Sequence, residues 1–336
     1  MHACDTFSDY SFYEKIEMIA DNDKSKSEFI HNGKEKAVSS IDKCLRVADK
    51  KPILLITVLD CLEIIEQLER KHELNDSECY IYTYMLNYVE PYELPLDRAK
   101  NEPQIIPKII HYCWFGGNPI SSDSQAYIET WKKHCPDYEI VRWDESNYDF
   151  KKNEYMYEAH KLKKWAFVSD YARLDIVLQH GGVYLDADVE LIRSIDDLLC
   201  DKAFCGFEGS SHVANGLGFG AVPRFQIVFD LLSMYDMIQF VNSDKSLNLK
   251  PGPQYQTEYF VANGLVLNNT LQIIDSMTVY PSDVLAPLNY RTRMLTITNN
   301  TYAIHHYLAS WVDEIQKSAV DKLAKKNVQI AKSFEK

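Results

Sequence analysis

The chain has 336 residues, 46% of them apolar, and carries 36 basic against 49 acidic side chains, a net charge of −13. That length suffices for a sizeable core, as one large domain or two smaller ones. The acidic balance argues against a nucleic-acid-binding surface, which needs basic patches.

Apolar periodicity over residues 1–100 predicts an N-terminal all-helical module. Phe12, Ile16, Met18 and Ile19 would begin one helix, 37–50 a second and 53–72 a third. The tyrosine-rich stretch 79–89 would supply a fourth. The start carries Asp5, Asp9 and Glu14 where a secretory signal would have a basic segment and an apolar core. The longest apolar run, 52–65, contains Asp60 and Glu63 and is too short to span a bilayer. The eight cysteines include no C-x-x-C pair, so a zinc cluster is not expected. A cytoplasmic, reduced protein follows.

Pro95, Pro103 and Pro107 mark a linker over 93–107. A domain over 101–315 then alternates strand and helix. Residues 108–115 read as a strand stopped by Gly116-Gly117. Ser122 and Gln125 have capping-box spacing for a helix running to about His134. A second strand spans 138–143 and a short helix 153–160. Strand, helix and strand in that order imply a right-handed parallel crossover.

The stretch 161–194 organises the rest. Leu162, Trp165, Ala166, Leu174, Val177 and Leu178 recur at helical spacing, and Gly181-Gly182 ends the helix. Val183, Tyr184 and Leu185 form a short apolar run, read as a buried strand, with Asp186-Ala187-Asp188 at its carboxyl end. Ligands of open α/β sheets bind beyond the carboxyl ends of the strands. Two carboxylates there repel unless a cation lies close, and hard divalent ions bridge protein carboxylates to substrate phosphates. Asp186 and Asp188 therefore suggest Mn²⁺ or Mg²⁺ holding a diphosphate. Asp170 and Arg173 share one helix face. Arg173 suits phosphate oxygens and Asp170 suits sugar hydroxyls.

Beyond the Asp-x-Asp, short elements are expected at 196–199 and 203–207, then a glycine-rich loop at 212–223 containing Asn215. An amphipathic helix is expected over 224–240, a Pro-Gly-Pro turn at 251–253, a helix from about 255 to 265 and further β structure over 279–287. TYAIHHYLASW at 301–311 holds adjacent histidines, which as neighbours in a strand point to opposite faces. Residues 316–336 read as a lysine-rich amphipathic helix, suited either to docking on the domain or to peripheral contact with a membrane surface.

The run SDYARLDIVLQHGGVYLDADV resembles the core of the DXD-containing, glycosyltransferase-family-32-like sugar transferases. That group includes yeast mannosyltransferases and bacterial capsular polysaccharide transferases, with the clostridial glucosylating toxins as more distant relatives. The resemblance covers roughly 105–311, with IPKIIHYCWFGG as its first strand. It implies a GT-A fold: an α/β, Rossmann-like mixed sheet flanked by helices. It implies Asp170, Arg173, Asp186 and Asp188 as catalytic residues. It places a UDP-sugar on Trp114, Ser169, Asp170, Arg173, Tyr184, Asp186, Asn215, Ser310 and Trp311, and the metal on Asp186, Asp188 and His306. Transfer to a saccharide or lipid-linked saccharide with retention of the anomeric configuration, in capsular or surface polysaccharide synthesis, is the activity it implies. Two other classes stay open: an aspartyl-phosphate-type phosphohydrolase, which also places Asp-x-Asp after an apolar strand, and a non-catalytic nucleotide-sugar-binding protein. Glu190 stands where the hydrolase motif usually has Thr or Val.

Overall fold

The computed structural model describes residues 92–308 apart from 96, 210–211 and 291–292, with short segments of the first 91 residues. The chain divides into two units, Met1–Met85 and Leu86–Lys336.

The expected all-helical module is corrected by the described part of the first unit. Strands β1 (Ile19–Ala20), β2 (Glu28–His31) and β3 (Lys34–Ser39) form one sheet in the order β1-β3-β2, and β4 (Ile53–Ile56) pairs in parallel with β5 (Glu78–Ile81). Residues 41, 43 and 44 and residues 64, 67, 68 and 70 are helical, so the segments expected as helices begin as strands and continue as helix. Two causes are readable. Ile53-Leu54-Leu55-Ile56 is a four-residue apolar run, which periodicity cannot assign between buried strand and helix. In β2 and β3, His31 pairs with Lys34 across Asn32-Gly33, and Asn-Gly is the sequence signal of a two-residue hairpin.

The second unit is built on a mixed sheet. Its strands are β6 (Ile109–Cys113), β7 (Glu139–Trp143), β8 (Gly182–Tyr184), β10 (Ala203–Glu208), β12 (Phe219–Ala221), β13 (Gln272–Ile274) and β14 (Met277–Tyr280), in the order β13-β14-β10-β12-β8-β6-β7. Strand β11 (His212–Val213) pairs with β10 off this path. Strands β7, β6 and β8 are parallel, and helix α1 (Ser122–His134) makes the crossover between β6 and β7. Helices α2 (Glu154–Lys161) and α3 (Trp165–His180) lead into β8. Strand β9 (Val189–Leu191) pairs antiparallel with β15 (Ala303–His305). Between these lie α4 (Gln226–Ser233), α5 (Gly252–Ala262) and α6 (Ser282–Leu285).

Both sheet faces are buried, and the sequence shows it. Along β8 and its exit, Val183 and Leu185 enter one apolar cluster with Ile110, Trp131 and Phe204, while Tyr184 enters the other with Leu174, Phe207 and Phe219. A strand covered on both faces reads as a continuous apolar run, as this one does. Helix α3 is buried from Tyr171 through Val177, and deleting a side chain such as Leu174 to alanine would cost about 2–5 kcal/mol. Gly182 is required where α3 turns into β8: its φ is 89°, and a Cβ there would meet the Ile109 carbonyl oxygen at 2.7 Å.

Several boundaries differ from the sequence reading. The cap of α1 is Ser121, whose Oγ accepts the Ser124 amide at 3.1 Å, one residue before the expected Ser122. The helix expected over 224–240 is α4 followed by a 3₁₀ turn at Met234–Asp236. The β structure expected over 279–287 is one strand and then α6. The proline-rich segment 93–107 packs on the domain: Leu94 is buried, its amide donates to Asn300 Oδ1 at 3.1 Å, and Arg98 pairs with Asp201 at 3.0 Å. The helix expected at 316–336 lies outside the described residues.

Candidate active site

Strands β6 and β8 are parallel neighbours, so both deliver their next residues to the same sheet edge. From β6 come Trp114 and its loop, and from β8 come Asp186 and Asp188. Helix α3 starts at this edge, with Trp165 beside Gly116, and its first turns bring Ser169, Asp170 and Arg173 there before it runs back to the start of β8.

Arg173 is the hub. Its Nε donates to the Ser169 carbonyl oxygen and its Nη2 to Ser169 Oγ, both at 3.1 Å. The same Nη2 lies 3.5 Å from Asp170 Oδ1 and 3.4 Å from Asp186 Oδ1. The guanidinium sits over the Tyr184 ring at 5.1 Å, and the Tyr184 hydroxyl donates to Asp186 Oδ1 at 3.0 Å. Asp170 is buried and its Oδ2 accepts the Gly252 amide at 3.0 Å. Burial raises its carboxyl above the usual carboxylate range, against the pull of Arg173 and of that amide. One buried cation thus holds two carboxylates, one on its own helix and one in the loop after β8, and removing it would leave both without their ion-pair partner, at a cost of about 3–5 kcal/mol.

Asp188 faces the last described strand. Its Oδ1 is 3.2 Å from His305 Nε2, and its Oδ2 accepts the Leu308 amide at 2.9 Å. Burial pushes this carboxyl up, but His305 and the Leu308 amide outweigh it and hold the group down at about 2. Asp186 Oδ2 is 4.0 Å from the same imidazole nitrogen. Burial raises the Asp186 carboxyl; Arg173 opposes this, and Asp188 adds to it.

Asp186, Asp188 and His305 each turn a ligand atom toward one point, all within 4.8 Å of one another. Two carboxylate oxygens and one imidazole nitrogen are a donor set that fits a divalent cation of the Mn²⁺ or Mg²⁺ kind, the nitrogen favouring the softer of the two.

The sequence placed His306 at this point, and the structure puts His305 there. The antiparallel register sets His305 opposite Val189, so His305 faces Asp188. Strand alternation then turns His306 the other way. Its Nε2 is 2.8 Å from Glu190 Oε2, and its ring stacks on Tyr127 at 4.3 Å with the planes 9° apart. Trp114 stands at the same edge as the Asp-x-Asp loop, with its Nε1 donating to the Asn118 carbonyl oxygen at 2.7 Å. Asn215 is buried and its backbone N–H donates to Gln256 Oε1 at 3.0 Å. Ser310 and Trp311 lie outside the described residues.

The structure also adds residues that the sequence reading did not single out. Gly216 accepts the Asp186 amide through its carbonyl at 3.1 Å and lies so close that a Cβ would collide with Asp186 Oδ2 and meet Arg173 Nη1 at 2.8 Å. A Cβ on Gly252 would meet Asp170 at 2.6–2.9 Å. Both glycines sit in stretches noted as glycine-rich or proline-flanked, but their contacts join residues far apart in the chain.

The segment carrying α1, α3, β8 and the Asp-x-Asp loop, residues 121–205, matches the family described as glycosyltransferase sugar-binding region containing DXD motif. Residues 121–205 are a DXD-type glycosyltransferase region. Within it fall Ser169, Asp170, Arg173, Tyr184, Asp186 and Asp188. The chain is 31% identical over 154 residues to mannosyl phosphorylinositol ceramide synthase SUR1 of Saccharomyces cerevisiae, covering 43% of this chain and 39% of that protein. It is 32% identical over 145 residues to inositol phosphoceramide mannosyltransferase 3 of Schizosaccharomyces pombe, covering 39% of this chain and 38% of that one. Against the uncharacterized glycosyltransferase L373 of Acanthamoeba polyphaga mimivirus the identity is 27%, over 63% of this chain and 86% of the other. The chain thus spans about two fifths of the length of the two yeast relatives. Among the described residues, no helix is long and apolar enough to cross a membrane.

Proposed function

We propose that the second unit is a metal-dependent hexosyltransferase that uses a nucleoside diphosphate sugar. The observation that carries this reading is the convergence of Asp186, Asp188 and His305 beside Arg173, inside a DXD glycosyltransferase region. Asp186, Asp188 and His305 hold a divalent cation, with Mn²⁺ the first candidate. The cation supplies electrostatic stabilisation of the leaving diphosphate. Arg173 adds a fixed positive charge on the opposite side of Asp186. Its bonds to Ser169 keep the guanidinium in place before substrate arrives, so little reorganisation is needed as charge develops.

Asp170, held by the Gly252 amide and by Arg173, accepts hydrogen bonds from sugar hydroxyls. Trp114, at the edge shared with the Asp-x-Asp loop, takes the base, and Tyr184 keeps Asp186 turned toward Arg173. The names of the two yeast relatives specify a mannosyl group and an inositol phosphoceramide acceptor. They support a hexosyl transfer to a lipid-linked or saccharide acceptor, with mannose tested beside the UDP-sugars that the family resemblance implies. A phosphohydrolase is disfavoured because Glu190 stands where that motif usually has Thr or Val and the Asp-x-Asp lies inside the DXD glycosyltransferase match.

The test is product identification. Purified protein, Mn²⁺ and a panel of UDP- and GDP-hexoses are incubated with saccharide and inositol-phospholipid acceptors, and products are read by mass spectrometry and NMR. Transfer of one hexose with retained anomeric configuration is expected. Phosphate release from simple phosphomonoesters without sugar transfer would overturn the reading.

A further inference from the structure

Among the described residues, six buried side-chain polar atoms have no hydrogen-bond partner, and Gln256 Nε2 is one of them. Gln256 is 1% exposed, although it is a polar side chain in the middle of α5. A buried, unpartnered amide costs about 1–3 kcal/mol, so its retention here calls for a reason.

Its surroundings supply one. Gln256 Oε1 accepts the Asn215 backbone N–H at 3.0 Å. That bond fixes which end of the side-chain amide is which, so Nε2 is a donor with nothing to donate to. The residue after Asn215 is Gly216, whose carbonyl accepts the Asp186 amide at 3.1 Å and where an added Cβ would meet Arg173. One helical turn before Gln256, the Gly252 amide donates to Asp170. Residues four apart on a helix share a face, and helical side chains lean toward the N-terminus. Gln256 thus joins the helix whose Gly252 amide holds Asp170 to the loop whose Gly216 carbonyl holds the Asp186 amide, and the free donor belongs to that junction.

The other orphans lack the bond to the loop beside Asp186. The hydroxyls of Tyr155 and Tyr235 also feel the Asp170 charge, but they belong to an aromatic cluster, with ring centroids 5.1 Å apart and with Phe240 5.4 Å from Tyr155. Arg193 lies over the Tyr302 ring at 3.7 Å. His305 Nδ1 sits behind a ring whose other nitrogen is already committed to Asp188.

We propose that Gln256 Nε2 is a specificity contact of the donor-sugar subsite, donating to one hydroxyl oxygen of the hexose that Asp170 holds from the other side. The inference rests on the hexosyltransferase reading and adds to it a residue that selects the sugar. An acceptor-only carboxylate and a donor-only amide across the ring make complementary demands. Asp170 needs a hydroxyl hydrogen and Gln256 needs a hydroxyl oxygen, so a sugar lacking the oxygen at Gln256 leaves a buried donor unpaired. Sites of this kind reject the deoxy analogue strongly.

The experiment compares kcat/KM for the preferred nucleotide-sugar and its monodeoxy analogues in wild type, Gln256→Leu and Gln256→Glu. Gln256→Glu keeps an oxygen for the Asn215 amide, which guards against a misfolded leucine variant, and thermal melting checks both. Wild type is expected to reject one monodeoxy sugar by about 5- to 150-fold, the equivalent of about 1–3 kcal/mol. Both variants, folded, are expected to lose that preference while still discriminating at the remaining positions. Full retention of the preference in both folded variants would overturn the proposal and leave the transferase reading intact. Failure of wild type to bind or turn over any nucleotide-sugar would overturn both.

Discussion

Exchanging the two adjacent histidines one at a time separates the site geometry from its neighbourhood. His305 Nε2 lies 3.2 Å from Asp188 and 4.0 Å from Asp186, with an 11% exposed side chain. In His305→Ala one of three convergent ligand atoms is gone. Even outer-shell changes at metal sites cost about 10–100-fold in affinity, so losing a direct ligand should weaken Mn²⁺ binding by about 100-fold or more, roughly 3 kcal/mol. His306→Ala removes something else. Its contact with Glu190 joins side chains 24% and 32% exposed, which places it near the weak surface class at about 0–1 kcal/mol. Its stacking on Tyr127 adds about 0.5–1.5 kcal/mol. The His306 variant should therefore lose roughly 1–2 kcal/mol of folding stability and keep its metal affinity. Calorimetric titration of Mn²⁺ into each folded variant, with urea unfolding alongside, reads both quantities. A His306→Ala variant that loses metal affinity while His305→Ala keeps it would refute the register argument.

Three further outcomes follow from the same geometry. Gly216→Ala should move Asp186 and Arg173 apart, since the new Cβ collides with the carboxylate; about 1–3 kcal/mol of overpacking is expected with a loss of more than about 100-fold in kcat/KM, and near-normal turnover in a folded variant would contradict it. Arg173→Lys keeps the charge but loses the planar fork that bonds Ser169 twice, so activity should fall at least about tenfold with a modest change in melting temperature. His111 is 2% exposed, its Nδ1 accepts from Trp143 Nε1 at 3.2 Å and its Nε2 donates to the Gly181 carbonyl oxygen at 3.0 Å. Burial holds it at about 4, with His180 adding to the effect and the Gly181 carbonyl opposing it. The unfolded chain then binds this proton first as pH falls, so stability should drop by about 3 kcal/mol from pH 6.5 to pH 4, a loss that His111→Gln largely removes; a variant with the same acid slope as wild type would refute it.

The sequence made the centre of the fold readable because its signals there are local. Helix α3, its glycine stop, β8 and the Asp-x-Asp are contiguous, and both faces of β8 are buried, so a plain apolar run sufficed. Asp170 and Arg173 could be paired by helical spacing alone. What could not be read depends on register or on long-range closure. Choosing between His305 and His306 needs the pairing of β15 with β9, which composition does not encode. Gly252 meets Asp170 across 82 residues, and Gln256 meets Asn215 across 41. No window of sequence contains those contacts. The N-terminal strands failed for another reason: four-residue apolar runs fit strand and helix alike, although Asn32-Gly33 carried a hairpin signal that periodicity does not weigh.

The central claim is that Asp186, Asp188 and His305 bind a cation that makes sugar transfer possible. Nucleotide release from UDP- and GDP-hexoses, measured with and without Mn²⁺ in wild type and Asp188→Asn, tests it most directly. The account predicts Mn²⁺-dependent release from one donor, falling by at least about 100-fold in the variant while the fold is kept. Release that is indifferent to Mn²⁺, or undiminished in a folded Asp188→Asn protein, would contradict it.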